Sequence, residues 1–230
     1  SKLGILGVRR SVARWGLREV MSLDLHRETW DIDGSRTAFL VLPGVSYTWV
    51  DTDNTLDVRE GMRLSLAASG TSRRLVSDAG FLKLSFTAKG IHSLMENNRL
   101  IGRAQLGYIL SEDYRDIPLS LRFYAGGNSS IRGYRLNEVG PLNALGQHQG
   151  GRYLAVGSLE YERTLFGPWG LAFFYDAGSA FNRPGFTPAQ GAGMGVRWRS
   201  PFGPVRLDVG MPLVGGIDPF QVSFMLGPEL

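Results

Sequence analysis

Cysteine and histidine, which often carry covalent or metal chemistry, are scarce in this chain of 230 residues. It has no Cys and three His: His26, His92 and His148. Without Cys there is no disulfide scaffold, thiolate zinc site or cysteine nucleophile. Because the His are dispersed along the sequence, neither a zinc site nor a Ser/His/Asp triad is favoured. We therefore predict no catalytic residue, no metal and no cofactor.

Two other segments match binding motifs only in part. Asp51–Asp57 offers oxygen ligands suited to Ca²⁺, but Leu56 stands where Gly is required and Met62 where a bidentate Glu is required. Gly191–Gly195 has the wrong spacing for a dinucleotide fingerprint, and no helix is predicted after it. The net charge of +4 favours solvated or internally paired charges over nucleic-acid binding.

The elements that position these residues are predicted from alternation of apolar and polar side chains. Near the middle of the chain, for example, Leu159 and Tyr161 oppose Ser158 and Glu160. This two-residue period is typical of a strand with one apolar and one polar face. The chain is predicted to contain about twelve strands, near residues 4–14, 18–29, 37–50, 60–69, 79–89, 98–110, 118–124, 152–164, 169–177, 190–199, 203–211 and 220–227.

These strands suit a membrane better than a soluble domain. A strand tilted across a bilayer needs roughly 9 to 11 residues, whereas soluble strands peak near about 5 or 6. In hydrocarbon every backbone N–H and C=O must be paired, so a chain without apolar helices spans only as a closed barrel. The predicted fold class is all-β, a transmembrane antiparallel β-barrel in the bacterial outer membrane. Alternation alone leaves a soluble sandwich open, with the apolar face as its core.

The longest predicted connection, 125–151, is too long for a structureless loop unless it is functional. It contains Gly126–Tyr134, whose last four residues are Ile131, Arg132, Gly133 and Tyr134. This tip resembles the sixth extracellular loop of the outer-membrane insertase and secretion-pore superfamily. Further matching segments are 118–127, 150–153, 157–161, 174–178, 193–204 and 226–230. Together they resemble the TamA family, the outer-membrane subunits of the translocation and assembly module.

The resemblance implies that the long loop folds into the lumen and that Arg132 contacts Glu160 and Asp176 on the strand wall. Strand parity independently places both carboxylates on the polar face. Carboxylates in bidentate geometry satisfy a guanidinium, and Lys would not reproduce this contact. We hypothesise a lock that holds the loop and the last strands in register. A purely stabilising role for these charges is the alternative.

The neighbours of Arg132 complete the predicted site. Gly133 permits a close approach of the loop to the wall, and Tyr134 is expected to pack against wall groups such as Phe174. Three arginines near the C-terminus are predicted to be paired lumen charges rather than a substrate path: Arg197, Arg199 and Arg206.

The resemblance also implies a domain organisation. Barrels of the family have sixteen strands preceded by periplasmic domains, so residues 1–230 would form a C-terminal barrel domain with about the last twelve strands. The first four strands and the N-terminal periplasmic domains would lie outside this chain. A separately closed twelve-stranded barrel is the alternative, since an even strand number is allowed.

In the family, the first and last strands meet weakly, and client strands are thought to pair at this lateral seam by β-augmentation. One side of the seam is predicted at Phe220, Val222, Phe224 and Gly227. Gly227 and Pro228 weaken the end of the last strand, because Gly adds backbone freedom and Pro cannot donate a hydrogen bond. Ordinary chain termination is the alternative explanation.

The predicted function is that of a non-enzymatic outer-membrane subunit that assembles or secretes autotransporters or other unfolded outer-membrane proteins. The implied partners are these clients, membrane lipids and a TamB-like periplasmic protein anchored in the inner membrane, with phospholipid transport as a further implied activity. A general insertase or a two-partner secretion pore is the alternative within the superfamily, against which the ending Gly-Pro-Glu-Leu argues. A passive channel is the alternative from another class.

Overall fold

A computed structural model describes residues 1–32, 34–54, 57–183, 185, 187–200 and 203–227. Predictions that involve Leu56, Pro228 or residues 201–202 therefore lie outside the described part. Eleven strands form one sheet in which each strand pairs antiparallel with the next along the chain. The strands are β1 (Lys2–Arg14), β2 (Leu17–Asp31), β3 (Ser35–Thr52), β4 (Gly61–Thr71), β5 (Phe81–Met95), β6 (Asn98–Ser111), β7 (Tyr153–Phe166), β8 (Trp169–Phe181), β9 (Ala189–Ser200), β10 (Gly203–Pro212) and β11 (Gln221–Leu226).

The two faces of the sheet differ as the alternation predicts. On β8, Leu171 and Phe173 are exposed, whereas Phe174 and Asp176 are buried. A continuous exposed apolar face is costly in water and suits contact with lipid. The structure thus rules out the soluble sandwich and confirms the all-β membrane barrel as the fold class. We call the covered face, which carries the polar side chains and the long loop, the inner face.

The sheet is a partial barrel with two open edges. Among the described residues, β1 pairs with β2 and β11 pairs with β10, and neither pairs with a further strand. None of the helices in the described ranges has the length and apolar character that a membrane crossing requires.

One predicted strand is wrong. Residues 118–124 are not part of the sheet: Leu119–Leu121 forms one turn of 3₁₀ helix, and Phe123 makes an isolated bridge to Gly151. The apolar alternation there arises because the side chains pack under the long loop, and Pro118 lacks the N–H that a sheet ladder needs. The connection between β6 and β7 therefore runs from residue 112 to residue 152 and is longer than predicted.

From β4 onward, long and short connections alternate along the chain. Residues 167 and 168 alone join β7 to β8, whereas residues 182–188 and 213–220 follow β8 and β10 on the side of the long loop. In outer-membrane barrels the short turns are periplasmic and the long loops extracellular. We call the side of the long loop the outer side.

The core lies between the long loop and the inner face. Buried side chains of the loop, including Ile117, Phe123 and Ile131, share one hydrophobic cluster with Leu40 of β3 and Ile109 of β6. Burial on both sides of this contact fixes the loop against the sheet.

Candidate functional site

The neck of the long loop holds its tip against the sheet. Phe123 and Gly151 exchange two backbone hydrogen bonds of 3.0 and 2.7 Å, and Ala125 and Val139 exchange two of 3.1 and 3.0 Å. Closer to the tip, the Arg103 guanidinium on β6 donates to the carbonyl of Ser130 at 3.0 Å. These contacts order the backbone on both sides of the tip.

Arg132 at the tip reaches the carboxylates predicted from sequence. Its Nε and Nη2 donate to Asp176 Oδ2 and Oδ1 at 2.8 and 2.9 Å, a bidentate pair. Its backbone N–H also donates to Asp176 Oδ2 at 2.9 Å, and Nη1 donates to Glu160 Oε2. Arg132 is 6% exposed and Asp176 is 0% exposed. Such buried, charge-assisted pairs are the strong class of hydrogen bond.

The aromatic residues of the predicted site have different partners from those expected. The ring of Phe174 lies under the Arg132 guanidinium, with 3.5 Å from Cζ to the ring centroid, which is cation–π geometry. The hydroxyl of Tyr134 donates to the carbonyls of Gln190, at 3.1 Å, and Val214. Phe174 thus packs against the Arg132 guanidinium. Tyr134 binds the loop tip to β9 and to the connection after β10.

The buried charges extend beyond the predicted set. Arg197 of β9 donates to Glu160 Oε1 at 2.6 Å, Glu162 Oε1 at 2.7 Å and Asp208 Oδ1 at 2.6 Å. Arg99 of β6 donates to the other oxygen of Glu162, with Nε at 3.0 Å. The prediction of a paired charge at Arg197 is therefore confirmed.

Sequence reasoning did not single out Arg99, Glu162 and Asp208 as site residues. Strand parity could have identified Glu162, because it follows Glu160 by two residues and both side chains point to the same face of the sheet. Arg199 is paired as well, with Nε 3.1 Å from Asp57 Oδ1. The Nε of Arg206 is buried without a hydrogen-bond partner among the described residues.

We call the three arginines and four carboxylates the loop lock: Arg99, Arg132, Arg197, Glu160, Glu162, Asp176 and Asp208. All seven are buried. Each carboxylate lies beside at least one guanidinium, which offsets the cost of removing the charges from water. The lock joins the loop tip to β6, β7, β8, β9 and β10. Its side chains form ion pairs with one another and leave none of the seven free as a nucleophile or general base. The lock therefore holds the loop in place. Among the described residues no group of three or more His, Cys, Asp or Glu could hold a metal ion.

Glycines let the tip approach the wall closely. A Cβ atom at Gly191 would lie 2.0 Å from the carbonyl oxygen of Arg132, and one at Gly210 would lie 2.8 Å from the backbone nitrogen of Gly133. Gly133 itself has φ +97°, a conformation that L side chains rarely adopt. The Gly191–Gly195 segment therefore acts as a strand wall.

A second contact ties the long loop to the connection between β10 and β11. Arg135 Nε and Nη2 donate to Asp218 Oδ2 and Oδ1 at 2.5 and 2.6 Å. The hydrogen bonds from Arg135 lower the pKa of Asp218 below its usual value. The pair therefore stays ionised at neutral pH.

The structure also brings His26 of β2 close to Glu28 and Ser120. Ser120 Oγ donates to Glu28 Oε2 at 2.6 Å, and His26 Nε2 lies 3.3 Å from the same oxygen. In a catalytic triad the His stands between the acid and the nucleophile. Here both groups converge on one carboxylate oxygen, so the cluster anchors the loop to β2.

The predicted seam residues lie at the open edge of the sheet. Phe220 precedes β11, while Val222 and Phe224 on β11 are exposed and point away from the inner face. Gly227 follows the strand with φ +138°, and its N–H donates to the Pro204 carbonyl at 3.3 Å. One edge of β11 pairs with β10, and its other edge has no partner among the described residues.

Comparison with known proteins extends these observations. The chain is 36% identical over 155 residues to the outer membrane protein assembly factor BamA of Nitratidesulfovibrio vulgaris, a match that covers 64% of this chain and 20% of the relative. It is 26% identical over 153 residues to BamA of Neorickettsia risticii, covering 60% and 20%. The chain thus spans about a fifth of these relatives, which are BamA proteins rather than TamA.

A solved structure shows the same fold. The crystal structure of BamA from Haemophilus ducreyi lacking POTRA domains 1–3 matches with a TM-score of 0.74 at 15% identity, over 98% of this chain and 53% of that one. Residues 14–227 match the Omp85 superfamily domain, and the chain belongs to this superfamily.

Proposed function

We propose that this chain forms part of the barrel wall of an outer-membrane protein assembly factor, which helps client β-strands to enter the membrane. The observation that carries the proposal is the last strand β11, whose pairing with β10 spans only six residues. The BamA relatives support it, because assembly of outer membrane proteins is the activity that their name states. We also propose that the first strands and N-terminal periplasmic domains of the full-length protein lie outside residues 1–230.

The edge of a short last strand suits this task for a physical reason. Unpaired N–H and C=O groups are costly in hydrocarbon, so such an edge favours any strand that pairs with it. An incoming client strand offers such groups and binds by β-augmentation. Because β11 has only six residues, its own pairing with β10 is short.

The loop lock has a supporting role in this proposal. It holds the five strands from β6 through β10 together by way of the loop tip, so that β11 is attached to a rigid wall. Rigid presentation lowers the entropic cost of pairing with a flexible client.

Site-specific photocrosslinking in cells tests the proposal. A photoreactive phenylalanine replaces Phe224, which is 64% exposed on β11, in the full-length protein. The same probe at Phe173 of β8, which is 50% exposed on an internal strand, is the matched control. Captured proteins are identified by mass spectrometry.

We expect client outer-membrane proteins to crosslink at position 224 several times more than at position 173. Equal capture at both positions would contradict an entry site at the β11 edge. Capture of lipid at position 224 without any client would also count against protein assembly.

A second candidate function is that of TamA, with autotransporter clients, a TamB-like partner and phospholipid transport. The resemblance of segments such as 157–161 and 193–204 favours it. The same crosslinking experiment separates the two, because autotransporters as the predominant clients, or a TamB-like protein, would favour this candidate. The mixed clients of a general insertase would favour the first.

A further inference from the structure

An arginine-rich cavity lies at the outer end of the sheet, away from the loop lock and from β11. It has a volume of about 630 Å³ and lies between the base of the long loop, the ends of β2 and β3, and the connection after β8. Five arginines line it: Arg36, Arg115, Arg122, Arg152 and Arg183. Among the described residues of the lining, the acidic ones are Glu112 and Asp113, so positive charge is in excess there.

Among the described residues, most of these guanidiniums lack a carboxylate partner. Arg36 is paired with Asp116 at 3.1 Å. In the part of the chain that the structure describes, Arg122 donates only to backbone carbonyls, at 2.9 Å to those of Ile117 and Gln149 and at 3.3 Å to that of Arg115. Within the described ranges, no carboxylate lies within salt-bridge distance of the other three arginines. Arg122 is buried, Arg152 is half-buried, and Arg115 and Arg183 are exposed. Guanidiniums that line one cavity without carboxylate partners repel one another, and a bound anion relieves this repulsion.

Tyr114 adds a polar group that also lacks a partner. Its ring lies between two guanidiniums, 4.8 Å from Arg122 Cζ and 5.5 Å from Arg152 Cζ. Its hydroxyl is buried and has no hydrogen-bond partner among the described residues. Burial raises the pKa of Tyr114, so the hydroxyl remains a donor at neutral pH. Buried polar groups in native structures normally find a partner.

We propose that this cavity binds a phosphate group, held by Arg115, Arg152 and Arg183. Guanidiniums match the oxygens of phosphate in bidentate geometry, and several of them around one cavity favour a multiply charged anion over a single carboxylate. Two sources share this chemistry: the headgroup of a phosphorylated lipid and free phosphate. The site is independent of client assembly, which involves β11.

Binding to the full-length protein tests the proposal. In detergent micelles, inorganic phosphate is titrated by calorimetry, with acetate as a singly charged comparison. In nanodiscs, the thermal midpoint is compared between phosphatidylcholine alone and phosphatidylcholine mixed with phosphatidic acid, which carries a phosphate monoester. The first assay detects free phosphate, and the second detects a lipid phosphate.

Arg183→Gln and Arg74→Gln form a matched pair, because both arginines are exposed in connections on the outer side and only Arg183 lines the cavity. We expect Arg183→Gln to weaken phosphate binding about tenfold, the loss of one strong charge-assisted contact. Arg74→Gln should bind as the wild type does.

The site is supported if phosphate binds in either assay and if Arg183→Gln weakens this binding while Arg74→Gln leaves it unchanged. The assay that detects binding then identifies the source of the phosphate. The proposal is overturned if neither phosphate source binds, if acetate binds as tightly as phosphate, or if the paired variants behave alike.

Discussion

At the scale of single residues, Arg132 is the centre of the loop lock. Five hydrogen-bond donors in a fixed planar fork let one side chain form a bidentate pair with Asp176 and also reach Glu160, a geometry that the ammonium of Lys cannot reproduce. The cation–π contact with Phe174 covers one face of the same group. The residue type, and not only its charge, is therefore required.

Truncation of this side chain should be costly. Arg132→Ala leaves Asp176 and Glu160 buried with less compensating charge, and breaking a buried pair typically costs about 3–5 kcal/mol. We expect a loss of this size in the free energy of unfolding, measured by urea titration of the full-length protein in detergent. Arg132→Lys should recover only part of it.

Arg135→Ala is the control for this experiment, because its pair with Asp218 is solvent-exposed and should contribute little. Equal destabilisation by the Arg132 and Arg135 substitutions would refute the lock as the stronger of the two contacts.

Glycine at position 191 is required by the same contact. Gly191→Ala places a methyl group against the carbonyl oxygen of Arg132, and overpacking of this kind typically costs about 1–3 kcal/mol. We expect the long loop to become several times more sensitive to limited trypsin digestion. Gly157→Ala on β7 has open space around the added atom and should digest at the wild-type rate. Similar rates for the two variants would show that the tip is not held by this close approach.

At the scale of elements, β11 pairs with β10 along one edge, and no described residue pairs with its other edge. The proposed function uses the open edge, so β11 has no need to separate from β10. A disulfide between these strands is therefore a direct test of which edge of β11 acts.

Val209 and Val222 are directly opposite on β10 and β11. Opposed residues of antiparallel strands have Cα atoms about 4.5–5.5 Å apart, within reach of a disulfide. We expect the V209C/V222C variant to assemble client proteins at the wild-type rate both before and after oxidation, measured in reconstituted vesicles. The single-cysteine variants control for oxidation damage. Loss of assembly only in the oxidised pair would mean that clients enter between β10 and β11.

At the scale of the whole molecule, membership of the Omp85 superfamily confirms two predictions, the bacterial outer membrane as the location and a non-enzymatic protein. The long loop and the loop lock cover the inner face. A passive channel, by contrast, needs an open path along the lumen.

Deletion of residues 125–149 tests how far the loop closes that path. The paired Phe123 and Gly151 stay in place and bring the two ends of the cut together. We expect a several-fold rise in single-channel conductance of the full-length protein in planar bilayers, with loss of client assembly. Removal of residues 144–146, an exposed part of the loop, should leave both properties unchanged. Wild-type conductance after the larger deletion would mean that the loop does not occlude the barrel.

Much of the fold followed from local sequence pattern. Alternation predicted eleven of the strands and their two faces, because side-chain direction in a strand depends only on parity. The same parity placed Glu160 and Asp176 on the inner face, and the Gly133 region was identified as a loop by its length and composition. The family within the superfamily was predicted less well, because the resemblance pointed to TamA whereas the named relatives are BamA.

The sequence by itself determined the strand pattern and the lipid-facing surface, and the family resemblance pointed to Arg132 as the partner of Glu160 and Asp176. Only the tertiary structure decided that residues 118–124 leave the sheet, that Phe174 lies under Arg132, and that Arg99 and Asp208 join the loop lock. The physical reason is that these contacts link residues far apart in the chain. Their energies depend on burial and on which strands become neighbours, and a local two-residue period carries neither.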